Sequence, residues 1–319
     1  MDPFPFFVGR GRSGTTLLRA IFDSHPEVAV PDETHFIVGL SRRRRRYERR
    51  DGFDIERFVA DLAARRGFRQ MGLAAPELGS DLQADPPPDF SEAIRRVYRH
   101  YAGTRGKTRY ADKTPVQVLS LRRLGRLFPE ARFVHIIRDG REVALSYLDA
   151  AWGPDSAEEA ALLWKRAVTA GRRAGRALGP GRYLEVRYEE LVDQPEATVR
   201  AICSFLDLGY DPVMLRYHER AHEIAGTMGM PEARQSLYLP PTRGIRDWRD
   251  MAPGDLARFE ALAGDLLTDL GYPSGTPPSR SEGRAGACVR SLRWHLGRAR
   301  GRANLQLKRA RRWVAGATR

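Results

Sequence analysis

The stretch FFVGRGRSGTTLL, from Phe6 to Leu18, decides the fold of this chain. An apolar run leads into the glycines Gly9, Gly11 and Gly14, and apolar residues at helical spacing follow. The pattern predicts a strand, a glycine-rich turn and the start of a helix. Glycines let backbone N–H groups turn inward at positive φ, and the unpaired N–H groups at the start of a helix attract negative charge. We therefore expect this loop to bind an anion.

Two nucleotide-binding patterns match this loop in part. Its glycines fit G-x-G-x-x-G, and Asp32 and Glu33 lie near the position of the ribose-binding acid of a dinucleotide fold. Gly9 and Gly14 also have the spacing of the P-loop, but Thr15 stands where the P-loop has lysine. A tight turn without a ligand is the third interpretation, but such a turn needs neither a guanidinium nor hydroxyl groups, whereas an oxyanion binds both. The side chains that supply them here are Arg12, Ser13, Thr15 and Thr16.

The segments after the loop predict an α/β fold. A helix from Thr15 to Ser24 and a short strand from Val28 to Val30 would complete a right-handed βαβ unit, the start of a parallel sheet. The strongest strand pattern of the chain runs from Arg132 to Ile137. We expect an α/β fold with a central parallel sheet flanked by helices. The ligand site should then lie at the carboxyl ends of the strands.

Length and composition predict one large domain with a basic extension. We assign residues 1–273 to the domain, 274–286 to a Pro-, Ser- and Gly-rich linker, and 287–319 to a basic tail with helical character. The net charge of +14 is concentrated at the end, because eleven Lys or Arg and no Asp or Glu follow from Gly283 onward. Two cysteines form no disulfide framework and suggest a reducing compartment.

The lack of a recognisable targeting or membrane-spanning segment favours a cytoplasmic protein. We recognise no secretion signal at the start and no apolar window near the roughly 20 residues of a spanning helix. Apolar side chains among the arginines of the tail would suit the anionic inner face of a membrane, with a cap on the fold or disorder as alternatives. The charge is not accompanied by a nucleic-acid-binding signature. Arginines also run from Arg42 to Arg46 and recur at Arg49 and Arg50, either as a solvated surface or as a site for a polyanionic substrate.

Candidate reactive groups follow several predicted strands. Asp32 and Glu33 lie at a strand end beside the glycine loop, although they could simply cap the next helix. Lys113 follows a short strand and should reach the same sheet edge. Arg138 ends the strongest strand, and Ser146 lies two turns into the next helix, so the two can converge on a second anion. An ion pair between Arg138 and its neighbour Asp139 is the simpler alternative.

The number of anion-binding groups favours a nucleotide with phosphates at both ends of its ribose. A loop rich in Gly, Pro and Met, from Gly226 to Pro241, leads to two further candidates, Arg243 and Arg246. A small-molecule kinase of the P-loop type is the alternative. This chain, however, has neither the P-loop lysine nor a clear magnesium-binding aspartate. A basic binding protein without enzymatic activity is the third possibility.

The chain resembles the sulfotransferases that use 3′-phosphoadenosine 5′-phosphosulfate (PAPS), from Phe6 to about Tyr272. The resemblance implies a three-layer, P-loop-like fold. The resemblance implies that RSGTT (Arg12–Thr16) binds the 5′-phosphosulfate, with Gly14 in the turn, and that RDGREVALSY (Arg138–Tyr147) binds the 3′-phosphate. RYEEL is similar to the segment whose tyrosine, here Tyr188, lies near the adenine. GIRDWRD (Gly244–Asp250) looks like the late loop that closes over the cofactor, but it lacks the common lysine.

The segments RSGTTLLRAIFDSHPEVAVPDET and DKTP resemble the protein-tyrosine and the bacterial carbohydrate or natural-product branches. The resemblance implies that Glu33 is the general base, that Lys113 assists, and that no metal is required. We expect Lys113 and Arg12 to stabilise charge on the transferring sulfuryl group, with Asp32 and His35 as rival bases. PAPS would be the donor and PAP the product. The acceptor would carry a hydroxyl group on a carbohydrate, a glycolipid or a small natural product, and it could be anionic or membrane-associated.

Overall fold

The computed structural model describes residues 2–148, 150, 153–221, 237–241 and 247–275. The described strands are β1 (Pro5–Gly9), β2 (Val28–Ala29), β3 (Glu48–Arg49), β4 (Gly52–Phe53), β5 (Arg109–Tyr110), β6 (Asp112–Lys113), β7 (Arg132–Ile137) and β8 (Tyr183–Arg187). The described α-helices are α1 (Thr15–Asp23), α2 (Phe36–Ser41), α3 (Ile55–Ala63), α4 (Arg66–Gln70), α5 (Ala75–Ala84), α6 (Phe90–Gly103), α7 (Leu121–Leu127), α8 (Gly140–Leu148), α9 (Ala157–Leu178), α10 (Tyr188–Asp193), α11 (Pro195–Phe205) and α12 (Pro253–Asp269). The described 3₁₀ segments are Arg44–Arg46, Pro115–Ser120, Pro212–Arg220 and Trp248–Asp250.

The chain divides into two compact units, residues 1–137 with 168–244 and residues 138–167 with 245–319. The predicted tail at 287–319 and the predicted linker from 276 onward lie outside the described residues. Among the described helices, none combines the length and the apolar character needed to cross a membrane.

Parallel strands form the centre of the first unit. Their order is β6-β1-β7-β8, and each neighbouring pair is parallel. Strand β2 pairs in parallel with β5, and β3 and β4 form a small antiparallel hairpin. Every residue of β1 is buried, as expected for a parallel strand that is covered on both faces. The predicted α/β fold with a central parallel sheet is confirmed.

The first two strands, β1 and β2, are not direct neighbours. The segment Arg109–Lys113 lies between them in the pairing order. Its first two residues pair with β2 and its last two with β1, while the N–H of Ala111 donates to the carbonyl of Ala29 at 3.0 Å. Strand pairing joins residues far apart in the chain, so the order along the sheet could not be read from the succession of strand and helix patterns.

Local backbone torsions set the bounds of several helices. Helices α3 and α4 are separate, because Arg65 between them has an extended backbone (φ −85°, ψ 128°). A 3₁₀ segment, Pro115–Ser120, precedes α7 directly. Helix α10 begins at the residue that follows β8. These breaks depend on single backbone torsions, which periodicity does not report.

Helix α9 approaches strand β7 closely at Gly171. A Cβ atom at this glycine would lie 2.5 Å from Cε1 of His135 and 2.7 Å from Cγ2 of Val118. His135 is fully buried, and burial lowers the pKa of its imidazole to about 3. The hydroxyl of Tyr183 donates to Glu185, so its oxygen is left to accept from Nδ1 of His135 at 2.6 Å. A neutral imidazole therefore fills the space beside the glycine.

A buried arginine joins the described segments of the second unit. The guanidinium of Arg141 donates to both carboxylate oxygens of Asp139, at 3.0 and 2.7 Å, and to Glu260 at 2.7 Å. It also donates to the carbonyl of Pro273 at 2.8 Å and stacks 3.8 Å from the ring centroid of Trp248. This one side chain thus connects α8 with α12 and with the residues on either side of α12.

Candidate functional site

The glycine loop has the predicted strand-turn-helix form. Strand β1 ends at Gly9, and helix α1 begins at Thr15. Arg12 and Gly14 both have left-handed backbones, with φ of 70° and 98°. Ser13 donates its N–H to the carbonyl of Arg10 at 3.1 Å, which closes the turn. By helix geometry, the first N–H groups of α1 have no partner within the helix, so they are available to an anion.

Tyr188, the first residue of α10, lies against the loop. A side chain at Gly14 would overlap the Tyr188 ring, so the absence of Cβ lets the ring approach the loop backbone. The ring is 8% exposed. Two of the predicted donor-binding residues, Gly14 and Tyr188, are therefore neighbours, although 174 positions separate them in the sequence.

Lys113 and two carboxylates form the charged centre of the first unit. The ammonium of Lys113 is fully buried and donates to Oδ1 of Asp32 at 2.9 Å and to Oε1 of Glu33 at 3.2 Å. Strand β6 places Lys113 opposite Phe7 of β1, close to the start of the glycine loop. The Glu33 side chain is 38% exposed, so it is accessible from solvent. The alternative that these carboxylates cap the next helix fails, because His35 is the N-cap residue of α2 and no side chain caps it.

The carboxylates remain charged because their neighbours outweigh burial. Burial by itself would raise the pKa of Glu33, but the hydrogen bond with His35 and the charge of Lys113 lower it below its usual value. Burial likewise opposes the charges of Lys113 and Arg19 at Asp32, and the pKa of Asp32 is also lowered. The hydrogen bond between Nε2 of His35 and Glu33, 3.0 Å long, raises the pKa of His35. Glu33 is therefore ionised near neutral pH and can accept a proton.

A buried hydrogen-bond network behind Glu33 was missed by the sequence reasoning. The hydroxyls of Thr34 and Tyr98 donate to Oδ2 of Asp112 at 2.7 and 2.6 Å. Thr34 also donates its N–H to the hydroxyl of Thr114 at 3.2 Å. Burial raises the pKa of Asp112 despite these hydrogen bonds. The network fixes Thr34, the residue between Glu33 and His35. Asp112 and Thr114 belong to the DKTP motif quoted above. Tyr98 lies in a helical pattern, and nothing in that pattern marks it as their partner.

Gly67 of helix α4 packs against the segment that carries Glu33 and Thr34. A Cβ atom at Gly67 would overlap the backbone carbonyl of Thr34. Thr34 is fully buried, so its carbonyl has no room to move outward. Helix α4 thus supports the segment that carries the carboxylate Glu33.

The predicted second anion site belongs to the second unit. Arg138 directly follows β7, and Ser146 lies on α8; their exposed fractions are 8% and 7%. Arg138 does not pair with Asp139, because its guanidinium donates to Glu142 at 2.8 and 2.7 Å while Asp139 pairs with Arg141. Binding of a 3′-phosphate by Arg138 and Ser146 stays a prediction.

The remaining predicted residues lie in the late loop. Arg243 and Arg246 lie outside the described residues, as does most of the predicted loop from Gly226 to Pro241. In the described part of the chain, no group of three or more His, Cys, Asp or Glu side chains is arranged to hold a metal ion.

The chain is similar to known proteins along most of its length. The model of the Sulfotransferase family matches residues 3–212. Protein-tyrosine sulfotransferase 2 of Gallus gallus is 27% identical over 288 residues, which cover 87% of this chain and 71% of that protein. Protein-tyrosine sulfotransferase 1 of Homo sapiens is 26% identical over 286 residues, which cover 87% of this chain and 72% of that protein.

Solved structures share the fold. The sulfotransferase domain from the Synechococcus PCC 7002 olefin synthase has a TM-score of 0.62 at 21% identity, covering 86% of this chain and 96% of that domain. The sulfotransferase domain from the curacin biosynthetic pathway has a TM-score of 0.53 at 16% identity, covering 86% of this chain and 99% of that domain. The P-loop-like fold that the resemblance implies is thereby confirmed.

Proposed function

Because the chain belongs to the Sulfotransferase family, we propose that it moves the sulfuryl group of PAPS to a hydroxyl group of an acceptor and releases PAP. The resemblance inferred from the sequence motifs is confirmed by the family match, and with it the enzyme class. The small-molecule kinase is not favoured. Within this enzyme class, the identity of the donor, the roles of the individual residues and the identity of the acceptor are proposals.

The donor is proposed to bind through both of its charged ends. The N–H groups at the start of α1, with Ser13, Thr15 and Thr16, would hold the 5′-phosphosulfate, and the Tyr188 ring beside Gly14 would lie near the adenine. Arg12 would neutralise charge at the bridging oxygen. The 3′-phosphate would bind Arg138 and Ser146, with Arg243 and Arg246 as further candidates in the late loop.

The proposed transfer is an in-line displacement. The acceptor oxygen forms a bond to sulfur while the bond from sulfur to the bridging oxygen of PAPS breaks, and the acceptor proton passes to Glu33. The products are the sulfate ester and PAP. As in phosphoryl transfer, the protein mainly positions the reactants and neutralises charge, which is the role of Lys113 and Arg12. The observation that carries this proposal is the buried Lys113 ammonium between Glu33 and Asp32, on the strand that pairs with β1.

Matched substitutions of the two carboxylates test the base. Each of Glu33→Gln and Asp32→Asn removes one partner of Lys113, but only the first removes the proposed base. We expect Glu33→Gln to lower kcat by about two to four orders of magnitude, the usual contribution of a general base, and Asp32→Asn to lower it much less. Calorimetry with PAP in the absence of magnesium should give wild-type affinity for both variants.

The outcomes separate the rival assignments. Near-normal turnover of Glu33→Gln would contradict the assignment of Glu33 as the base. A larger loss of kcat in Asp32→Asn than in Glu33→Gln would indicate that Asp32 is the base. Magnesium-dependent binding of ATP with no binding of PAP would instead support the kinase. Binding of neither nucleotide would support a binding protein without enzymatic activity.

The acceptor is proposed to carry its hydroxyl on a carbohydrate, a glycolipid or a small natural product. Similarity to two proteins named protein-tyrosine sulfotransferases adds the tyrosine hydroxyl of a protein to this set. A screen of these acceptor classes with labelled PAPS distinguishes them by which one gains the label.

A further inference from the structure

Arginines line a cavity of the first unit that the proposed reaction does not use. The cavity has a volume of about 570 Å³. Its charged lining consists of Arg42, Arg44, Arg45, Arg123 and Arg126. We call this space the arginine cavity. Its volume falls in the range of small-molecule sites, about 300 to 1,000 Å³, so a compact ligand fits it better than an extended polymer.

The positive charge of the arginine cavity is poorly compensated. Within the described part of the chain, no carboxylate forms an ion pair with Arg42, Arg45, Arg123 or Arg126. Arg44 has one distant partner, with 3.8 Å between its Nε and a carboxylate oxygen of Glu48. Guanidinium groups around one space repel each other unless an anion neutralises them. Elsewhere in the chain arginines do find acidic partners, for example Arg95 with Glu130 at 2.8 Å.

A buried serine fixes one wall of the arginine cavity. Ser41, the last residue of α2, donates its hydroxyl to the carbonyl of Val38 at 2.9 Å and accepts from Nη1 of Arg123 at 3.2 Å. The serine is 6% exposed. This hydrogen bond ties α7 to the end of α2 and holds the Arg123 guanidinium at the cavity.

Both walls of the arginine cavity are connected along the chain to residues of the proposed site. Helix α2 starts directly after His35 and ends at Ser41, a rise of about 9 Å for six residues. Helix α7 follows the DKTP segment through the 3₁₀ segment Pro115–Ser120. Two short stretches of chain thus connect Glu33 and Lys113 to the segments that carry the arginines.

We propose that the arginine cavity binds an anionic part of the acceptor, a group that carries two or more sulfate or phosphate charges. The inference rests on the proposed function, because it places the acceptor hydroxyl at Glu33. Guanidinium groups bind tetrahedral oxyanions with two parallel hydrogen bonds, and five of them require several negative charges. A sulfated sugar and a phosphorylated lipid headgroup share this chemistry.

Two probes and two matched double variants test the proposal. The probes are a trisulfated disaccharide derived from heparin and inositol trisphosphate, and their affinity for the full chain is measured by calorimetry. The test variant Arg45→Gln with Arg126→Gln removes two exposed arginines of the cavity. The control variant Arg46→Gln with Arg122→Gln removes the same charge from the same two segments, at positions that do not line the cavity.

We expect the test variant to bind the preferred probe at least tenfold more weakly, and the control variant to stay within about twofold of the wild type. The probe that binds more tightly identifies the source of the anion. Equal weakening in both variants, or no binding of either probe to the wild type, would overturn the proposal.

Titration of PAP in parallel separates this inference from the proposed function. Wild-type PAP affinity in both double variants is expected, because neither touches the glycine loop. If PAP fails to bind the wild type while a probe binds at the arginine cavity, the donor assignment fails and the anion site stands. If PAP binds and the probes do not, the donor assignment stands and the anion site at the arginine cavity fails.

Discussion

The charge of Glu33 depends on residues on either side of it. Burial works against ionisation, while the His35 hydrogen bond and the Lys113 charge favour it strongly enough to lower the pKa of Glu33. A base with a lowered pKa is weak, but it is fully ionised over a wide pH range. The structure therefore favours a carboxylate that is always ready to accept a proton over one whose proton affinity is high.

Replacing His35 with Asn should shift the acidic limb of the pH profile. The substitution removes the hydrogen bond and the charge that lower the pKa of Glu33, so the pKa of Glu33 rises and the decline of kcat/KM in acid moves to higher pH. Asn is chosen because it tolerates the φ of 53° at this position. The measurement is kcat/KM against pH. His100→Asn is the control, since His100 pairs with Asp81 and not with Glu33; a limb that moves equally in both variants, or in neither, contradicts the assignment.

At the scale of the elements, the packing of α9 on β7 depends on a missing side chain. Gly171→Ala would bring a methyl group to 2.5 Å from the buried His135 ring, and we expect it to lower the free energy of unfolding by about 1 to 3 kcal/mol, the usual cost of overpacking. Denaturant unfolding measures the change. Gly79→Ala on α5 is the control, because a Cβ atom there meets nothing within 4 Å, and it should leave stability unchanged or raise it. Equal stability of the two variants would show that α9 can shift.

Local patterns predicted the elements that are decided locally. The apolar run before Gly9 and the spacing of Leu17, Leu18, Ile21 and Phe22 are enough to place β1 and α1, and those four side chains are buried as expected. Lys113 contacts Glu33 because Lys113 ends β6 and Glu33 follows β2, whose partner β5 lies directly before β6 in the chain. The partnership of Tyr98 with Asp112 could not be predicted, because a tyrosine on the buried face of a helix looks like any other core residue.

The arginines from Arg42 to Arg46 show that local sequence patterns also predict only part of a binding site. Five consecutive arginines predict a basic surface but do not say what faces it. The cavity arises only because α7 contributes Arg123 and Arg126 from a segment 80 residues further along the chain. The arginine run in the sequence therefore predicts only one wall of the cavity, and the fold brings the other wall to it.

At the scale of the whole chain, the second unit depends on Arg141. Arg141→Met would remove the guanidinium that donates to the buried carboxylates of Asp139 and Glu260, so we expect a loss of about 3 to 5 kcal/mol in the free energy of unfolding of that unit. Hydrogen exchange should show reduced protection in α12. Arg258→Met is the control, because its ion pairs with Asp255 and Glu158 are solvent-exposed and should contribute little to stability. Retained protection of α12 in Arg141→Met would contradict the role of this side chain.

The contact between Gly67 and Thr34 has a consequence for how sequences of this enzyme can diverge. The atoms that a side chain at Gly67 would overlap belong to the peptide backbone of Thr34, which no exchange of side chains can remove. A compensating substitution at position 34 is therefore not available. Among variants selected for turnover, position 67 should stay glycine without a covarying partner, even though it lies far from Glu33 in the chain.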